Sequence, residues 1–391
     1  MNAIMRGVAL AGLMLLSSIS GCLFDSENDS VELEAVFTFS PSSNVRAGDI
    51  VSFDGSNSLP QDGSLTYRWD FDNNGEVDAT GRNAEWTFAE SGEFSVKLMV
   101  SDGTTSAEQI RTIDIVEATA VEPVAEVELY SSEWDCDNEE AATGSFILVW
   151  ICEDDKSLTD RDVTATTTVT LDASLSKAGS SDDYISKWTW DMDLQDDANG
   201  DGESDNDADY SGEVLEWKDV APGEYKIALT VTSGTGLVDT KNVDVYVSYV
   251  GTWYDFEIAG NGSNGPGERV FDFQVTYDKD AKNTIRKAVG ELVYPQEDDD
   301  WVYSPGNTNR NKLDLYAYDE EDEEVANTSD TAVDQRTDGD CDSSDDCIHL
   351  MLPSYQMTDT THGDGEWSMI IRNERFNDIQ ITSFSIRIEY K

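Results

Sequence analysis

Tyr67-Arg68-Trp69-Asp70-Phe71-Asp72-Asn73-Asn74-Gly75 is the stretch whose reading decides the fold. Trp69 and Phe71 alternate with Asp70 and Asp72, which reads as a strand with an aromatic core face and an acidic outer face. Asn74-Gly75 offers the pair of φ > 0 residues favoured by a two-residue hairpin turn. Far downstream the chain writes Trp188-Thr189-Trp190-Asp191-Met192-Asp193, the same pattern before a longer turn. A motif written twice argues for a string of similar units.

Outward from the first copy the pattern is all-β. Residues 35–39, 50–53, 84–88, 94–100 and 109–115 alternate apolar and polar side chains, and Gly, Asn, Asp and Pro clusters separate them. About seven short strands with regular turn signals imply an immunoglobulin-like sandwich. Phe53-Asp54-Gly55-Ser56-Asn57-Ser58, Tyr67 to Phe71 and Gly92-Glu93-Phe94-Ser95-Val96-Lys97-Leu98 resemble the three landmarks of the PKD (polycystic kidney disease) domain. That family usually follows its Trp-Asp-Phe with Gly-Asp-Gly, where this chain has Asp72-Asn73-Asn74-Gly75. The resemblance implies an extracellular β-sandwich used as a spacer or a binding module over residues 34–118.

The second copy is read over residues 121–249. Residues 168–174, 188–192 and 223–231 correspond to the three landmarks. Two insertions set it apart. One is the apolar run 146–151 between Cys136 and Cys152, read as a disulfide-stapled hairpin; the other is the acidic loop 195–209. From residue 250 to 391 the runs 271–277, 312–318, 366–371 and 383–390 alternate again and imply a third β-sandwich. Residues 313–316, 323–326 and 365–369 resemble the jelly-roll accessory domains of secreted peptidases, the proprotein-convertase P-domain and bacterial pre-peptidase C-terminal domains. The fold class expected is therefore all-β: two tandem immunoglobulin-like sandwiches followed by a β-sandwich or jelly-roll.

A net charge of −56 excludes nucleic acid as a natural partner, because phosphate backbones need Lys and Arg to neutralise them. Self-repulsion of that size is relieved by salt or by divalent cations. The first 22 residues read as a targeting segment: Arg6, an apolar run over 8–16, then Ile19-Ser20-Gly21-Cys22. The ending resembles the lipobox of prokaryotic lipoproteins, which implies lipidation at Cys22, a short acidic tether over 23–33, and a protein held at the extracellular face of the membrane. The four remaining cysteines form two near-neighbour sets, Cys136 with Cys152 and Cys341 with Cys347. An even number in an exported chain implies local disulfides. The first would be worth roughly 3 kcal/mol in the chain-entropy account.

Asp197, Asn199, Asp201, Glu203 and Asp205 follow the grammar of a calcium loop: hard oxygens at alternate positions and a glycine, Gly202, at the sixth. Ala208 stands where an EF-hand places its bidentate Glu. Asp70, Asp72, Asn74 and Asp78 repeat that grammar in the first copy. Calcium is thus the cofactor expected, with an affinity on the order of 10⁻⁴ to 10⁻³ M. Catalysis finds little support. Of the two histidines, neither His349 nor His362 lies in a hydrolase motif, and among 81 acids carboxylate pairs are inevitable. Trp253, Tyr254, Trp301 and Tyr303 are the candidate ligand contacts, with core packing as the competing role. Together these point to a lipid-anchored surface protein that binds an extracellular protein or polysaccharide. A secreted hydrolase, or the accessory subunit of a surface peptidase or glycosidase, is the alternative.

Overall fold

The computed structural model describes residues 33–61, 64–197, 204, 207–263, 265–278, 283–297, 310–336, 341–358 and 360–391. Cys22 and the tether up to residue 32 lie outside them. No helix among the described residues is long and apolar enough to cross a membrane.

The first sandwich contains β1 (Thr38–Ser40), β2 (Ile50–Asp54), β3 (Thr66–Asp70), β4 (Ala79–Thr80), β5 (Asn83–Thr87), β6 (Gly92–Ser101) and β7 (Ser106–Ile115). The sheet β1-β2-β5 faces the sheet β4-β3-β6-β7. Period-2 alternation sends Val96, Leu98 and Val100 of β6 inward, where they meet Phe37, Phe53, Trp69 and Phe71. Trp69 stands edge-on to Phe37 at 5.2 Å, and Phe71 stacks on Trp86 at 4.8 Å. Each such ring removes roughly 150–250 Å² from water, about 4–6 kcal/mol at ~25 cal/mol per Å². The turn after β3 differs from the two-residue hairpin expected at Asn74-Gly75. Residues 71–78 form a longer loop, and φ > 0 occurs at Asn73 (50°) and Gly75 (92°). The Asp70 carboxylate gathers the amides of that loop, so a wide turn is closed by a side chain.

The second unit contains β8 (Ile147–Glu153), β9 (Thr167–Asp172), β10 (Ile185–Asp191), β11 (Tyr210–Ser211), β12 (Val214–Val220), β13 (Gly223–Ser233) and β14 (Val238–Ile258). The pair β9-β12 covers the sheet β11-β10-β13-β14, with Trp190, Leu171, Leu229 and Val245 in the core between them. The expected stapled hairpin is absent among the described residues. Instead β8 is a single strand pairing parallel to β14, Ile147 opposite Val245 through Glu153 opposite Gly251. An apolar run of this kind is buried on both faces in parallel pairing, which its composition alone does not distinguish from a hairpin arm. The disulfide Cys136–Cys152 (Cα–Cα 5.5 Å) ties the preceding loop to β8. Arg387 holds the same loop through Asp135 and Asp137, and its guanidinium lies 4.9 Å from the centre of the Trp150 ring.

β14 runs 21 residues without interruption. At ~3.3 Å per residue it is roughly 70 Å long. Val238 to Val247 pair with β13, and Tyr249 to Ile258 pair with β23 (Ile379–Glu389) of the third sandwich. The change of texture near residue 250 is therefore a change of core within one strand. Beyond it come β15 (Gly267–Val275), β16 (Tyr277–Asp278), β17 (Asn283–Thr284), β18 (Lys287–Pro295), β19 (Leu313–Tyr318), β20 (Glu324–Asn327), β21 (Asp345–Pro353) and β22 (Gly365–Asn373). The sheet β15-β22-β19-β20 packs on β14-β23-β18-β21 around Trp253, Phe271, Phe384 and Trp367. A second disulfide joins Cys341 to Cys347.

The third core also contains a cation that the sequence pattern does not reveal. Arg336 is fully buried and donates to Asp314, to the Leu313 carbonyl, to the Tyr294 hydroxyl (3.1 Å) and to the Thr331 carbonyl (3.0 Å). Asp346, also fully buried, pairs with Arg310 at 2.7 Å. The hydrogen bonds of Arg336 offset its desolvation, whereas Asp346 meets Arg310 through Oδ1 only and leaves Oδ2 without a partner among the described residues.

The first two sandwiches are joined through Asn44 and Arg46. Asn44, held at φ 56°, donates through Nδ2 to the Val238 carbonyl (2.7 Å) and accepts the Val238 amide on Oδ1 (2.6 Å). Arg46 adds an ion pair with Glu122 at 3.0 Å.

Candidate cation and ligand sites

The two Trp-Asp strands end in the same construction. Trp69 Nε1 donates to the Gly81 carbonyl and Trp190 Nε1 to the Gly212 carbonyl, each at 2.9 Å. The Phe71 amide donates to the Asp78 carboxylate and the Met192 amide to the Asp209 carboxylate, each at 2.7 Å. Asp70 is thus matched by Asp191, Asp72 by Asp193 and Asp78 by Asp209. The acidic face recurs in place, with the extra residues of the second copy inserted between Asp193 and Asp209.

The carboxylates fare differently. Asp70 Oδ1 accepts the Asn74 amide (3.0 Å) and Oδ2 the Gly75 amide (2.8 Å), so both oxygens of this buried group are met by its own loop. Asp72 and Asn74 are engaged as well: the Asn74 side chain donates to Asp72 (3.0 Å) and accepts the Glu76 amide (2.7 Å). The carboxylate oxygens of Asp70, Asp72 and Asp78 still lie within 4.8 Å of one another, which fits a hard cation. Asp191 is 3% exposed, and its Oδ2 has no hydrogen-bond partner of good geometry among the described residues. Burial, together with the charges of Asp209 and Asp207, pushes its carboxyl up to about 6 against the opposing amides of Asp193 and Asp207. Asp207 is itself buried. A bound Ca²⁺ would supply the missing partner and remove that repulsion.

Asp197 is half-buried at the edge of the described segment, while Asn199, Asp201, Glu203 and Asp205 lie outside it, as do Trp301 and Tyr303. Of the remaining aromatic candidates, Tyr254 is 42% exposed. Trp253 is not a ligand contact: it is fully buried, packs edge-on to Phe271 at 4.7 Å, and donates Nε1 to the Asp160 carbonyl at 3.0 Å. Strand alternation places it on the core face, opposite Tyr254. His349 faces Glu291 across β21 and β18 at 3.3 Å.

One cleft was missed by sequence reasoning because its walls come from two sandwiches. It encloses about 420 Å³ between Trp217 and Tyr225 of the second unit and Thr276 and Asn283 of the third, with Asp193 on its rim. Trp217 and Tyr225 stand edge-to-face at 5.0 Å. Glu224 bonds Lys226 at 2.9 Å and the Thr284 hydroxyl at 2.5 Å, and its amide donates to Asn283 at 3.2 Å, so the β16–β17 hairpin is docked on β13. The Asp191 site did have a sequence signal, because Asp209-Tyr210-Ser211-Gly212 aligns with Asp78-Ala79-Thr80-Gly81 once the tryptophans are superposed.

Residues 35–116 match the PKD domain family. The matched segment contains the three landmarks and the two-sheet sandwich of residues 38–115. No curated protein matches the chain at a significant level. Among solved structures, a carbohydrate-binding module of the β-sandwich superfamily aligns at 14% identity over 92% of this chain and 96% of its own (TM-score 0.21). Fibronectin(III)-like modules of Clostridium thermocellum CbhA align at 14% identity over 55% and 95% (TM-score 0.22). The SGBP-B protein of a Bacteroides ovatus mixed-linkage glucan utilization locus, in complex with a heptasaccharide, aligns at 11% identity over 91% and 95% (TM-score 0.17). At such scores the likeness decides nothing about what this chain binds.

Proposed function

We propose that this chain is a cell-surface binding protein, lipid-anchored at Cys22, whose PKD sandwich spaces a rigid two-sandwich unit that holds an extracellular polysaccharide in the cleft beside Trp217. The cleft carries this reading. An aromatic pair offers an apolar face to a sugar ring, and Glu224, Lys226 and Asn283 place polar groups beside it, the combination that orients a small polar ligand. The net charge of −56 favours a neutral glycan, since a polyanion would be repelled. Calcium is the proposed structural cofactor at both acidic turns, with the greater need in the second, where one buried oxygen of Asp191, Oδ2, is left without a well-placed donor and Asp193 forms part of the cleft rim. Continuity of β14 supports the rigid-unit role, because a strand shared by two sandwiches leaves no linker to bend.

The test is a glycan array probed with the protein lacking residues 1–22, in calcium. Trp217→Ala is expected to weaken retention at least about tenfold with unchanged far-ultraviolet circular dichroism, as for an aromatic hot spot. Failure of the parent protein to retain any glycan, with capture of a protein partner instead, overturns the polysaccharide reading. Cys22→Ser is expected to move the full chain from the membrane fraction to the medium.

A further inference from the structure

A second kind of metal-ligand cluster lies in the third sandwich, away from both acidic turns. Asp319, Glu323 and His362 come from two separate segments, the turn joining β19 to β20 and the loop leading into β22. One donor atom from each lies within 4.8 Å of the other two. The turn is closed by the Asp319 amide on the Glu323 carbonyl (3.1 Å), with Asp322 at φ 60°. Asp319 Oδ1 accepts the amides of Glu321 (3.1 Å) and Glu323 (2.8 Å), which fixes the other oxygen, Oδ2, 2.9 Å from His362 Nδ1. The His362 loop is held as firmly. Its amide donates to the Gln356 carbonyl (3.3 Å), Gly363 turns at φ 80° and donates to the Thr358 carbonyl (2.8 Å), and Gly365 lies so close to Glu320 that a Cβ would fall 2.0 Å from its carboxylate.

We infer that Asp319, Glu323 and His362 form a binding site for a zinc-class divalent ion, which clips the β19–β20 turn to the loop before β22. The donor set decides the class. One imidazole nitrogen with two carboxylate oxygens suits Zn²⁺ and its first-row neighbours, whereas Ca²⁺ takes oxygen alone. Zinc ligands at ~2.0–2.2 Å from the ion stand roughly 3–3.5 Å apart in a tetrahedron, which the 2.9 Å between Asp319 and His362 nearly meets, and the exposed Glu323 side chain is free to close on them. Asp319 is 6% exposed, so its charge is already largely desolvated before any ion arrives. Three protein ligands leave a fourth position for water. Beside the site stands Trp367, edge-on to the His362 ring at 6.2 Å, and its buried Nε1 has no hydrogen-bond partner among the described residues. Such a donor is one that water brought with an ion can satisfy.

The test uses the whole mature chain, stripped with chelator and returned to millimolar Ca²⁺ so that the general acidic surface is occupied. Titration with Zn²⁺ is expected to show one saturable equivalent with a raised melting temperature. His362→Gln should lower that affinity by about 100-fold or more, since even outer partners of a ligand are worth 10–100-fold. His349→Gln should leave it unchanged. Imidazole resonances in the unmutated protein give a readout independent of any folding defect: Zn²⁺ should shift His362 and leave His349 in place. Zinc binding that survives His362→Gln, the absence of a saturable equivalent, or a His362 resonance that ignores Zn²⁺ would each overturn the assignment.

Discussion

The turn after Asp70 and the turn after Asp191 share two hydrogen bonds at identical lengths, Trp Nε1 to a glycine carbonyl and a strand-end amide to a carboxylate. They part at the buried carboxylate between those bonds. In the first sandwich the loop is short enough for its amides to return to Asp70. In the second, where the insertion separates Asp193 from Asp209, Oδ1 of Asp191 accepts the Asp193 amide at 3.1 Å, while Asp207 and Asp209 stand beside it as additional negative charges. The Trp-Asp frame thus tolerates a change of loop length. What the change alters is how the buried charge is satisfied, by the chain in one copy and, on our proposal, by a cation in the other.

The largest test concerns the frame. Trp69→Ala and Trp190→Ala each remove a fully buried indole and should cost about 3–5 kcal/mol. Calorimetry should nevertheless separate them. Trp69→Ala is expected to lower one transition, that of the PKD sandwich. Trp190→Ala should lower a transition shared by the second and third sandwiches, because β14 belongs to both sheets. A third-sandwich transition that stays fixed in Trp190→Ala would show that the shared strand does not couple them.

Next in size is the contrast between the carboxylates. Asp70→Ala leaves the Asn74 and Gly75 amides without their acceptor and should cost about 2–3 kcal/mol in chelator, as expected for charge-assisted bonds. Asp191→Asn in chelator should cost little or be stabilising, since it removes a buried repelled charge. Calcium at about 100 times its dissociation constant should add roughly 2.7 kcal/mol to the parent second unit, and this gain should vanish in Asp191→Asn. Equal calcium gains in both sandwiches, or none in the second, would break the contrast.

How much of this was legible depended on the range of each interaction. Trp69, Phe71 and Trp190 announced themselves because strand alternation is local, and the fold class followed. The Asn74-Gly75 turn was misread because Asp70 reaches across four and five residues to set the loop, and no dipeptide carries that information. Asp191 was passed over because attention went to the run from Asp197 to Asp205, which follows the spacing of a calcium loop and lies almost wholly outside the described residues; the spacing that points to Asp191 is the distant Asp209-to-Gly212 segment. The cleft at Trp217 and the buried Arg336 depend on side chains brought together from different sandwiches or distant strands, and Gly251 of β14 reads as a domain break although the strand runs through it to serve two cores. Trp253 and Tyr254 were offered together, yet alternation alone assigns one of them to the core.

The smallest effect is the dependence on pH. The Asp191 carboxyl is held at about 6 when folded, above the ~3.9 of an unfolded aspartate, so between these values the folded state binds more protons. Stability contributed by this group therefore rises as pH falls through 6, and levels off below 4. In chelator, going from pH 7 to pH 5 should stabilise the second unit by about 1 kcal/mol relative to Asp191→Asn. The mutant comparison cancels the many other carboxylates that titrate nearby. With calcium bound the sign reverses, because protonation then competes with the ion, and the same pH change should destabilise the parent. No reversal on adding calcium would mean that the ion does not reach Asp191. In the first sandwich both oxygens of Asp70 already accept loop amides, so calcium is expected to add less stability there than beside Asp191.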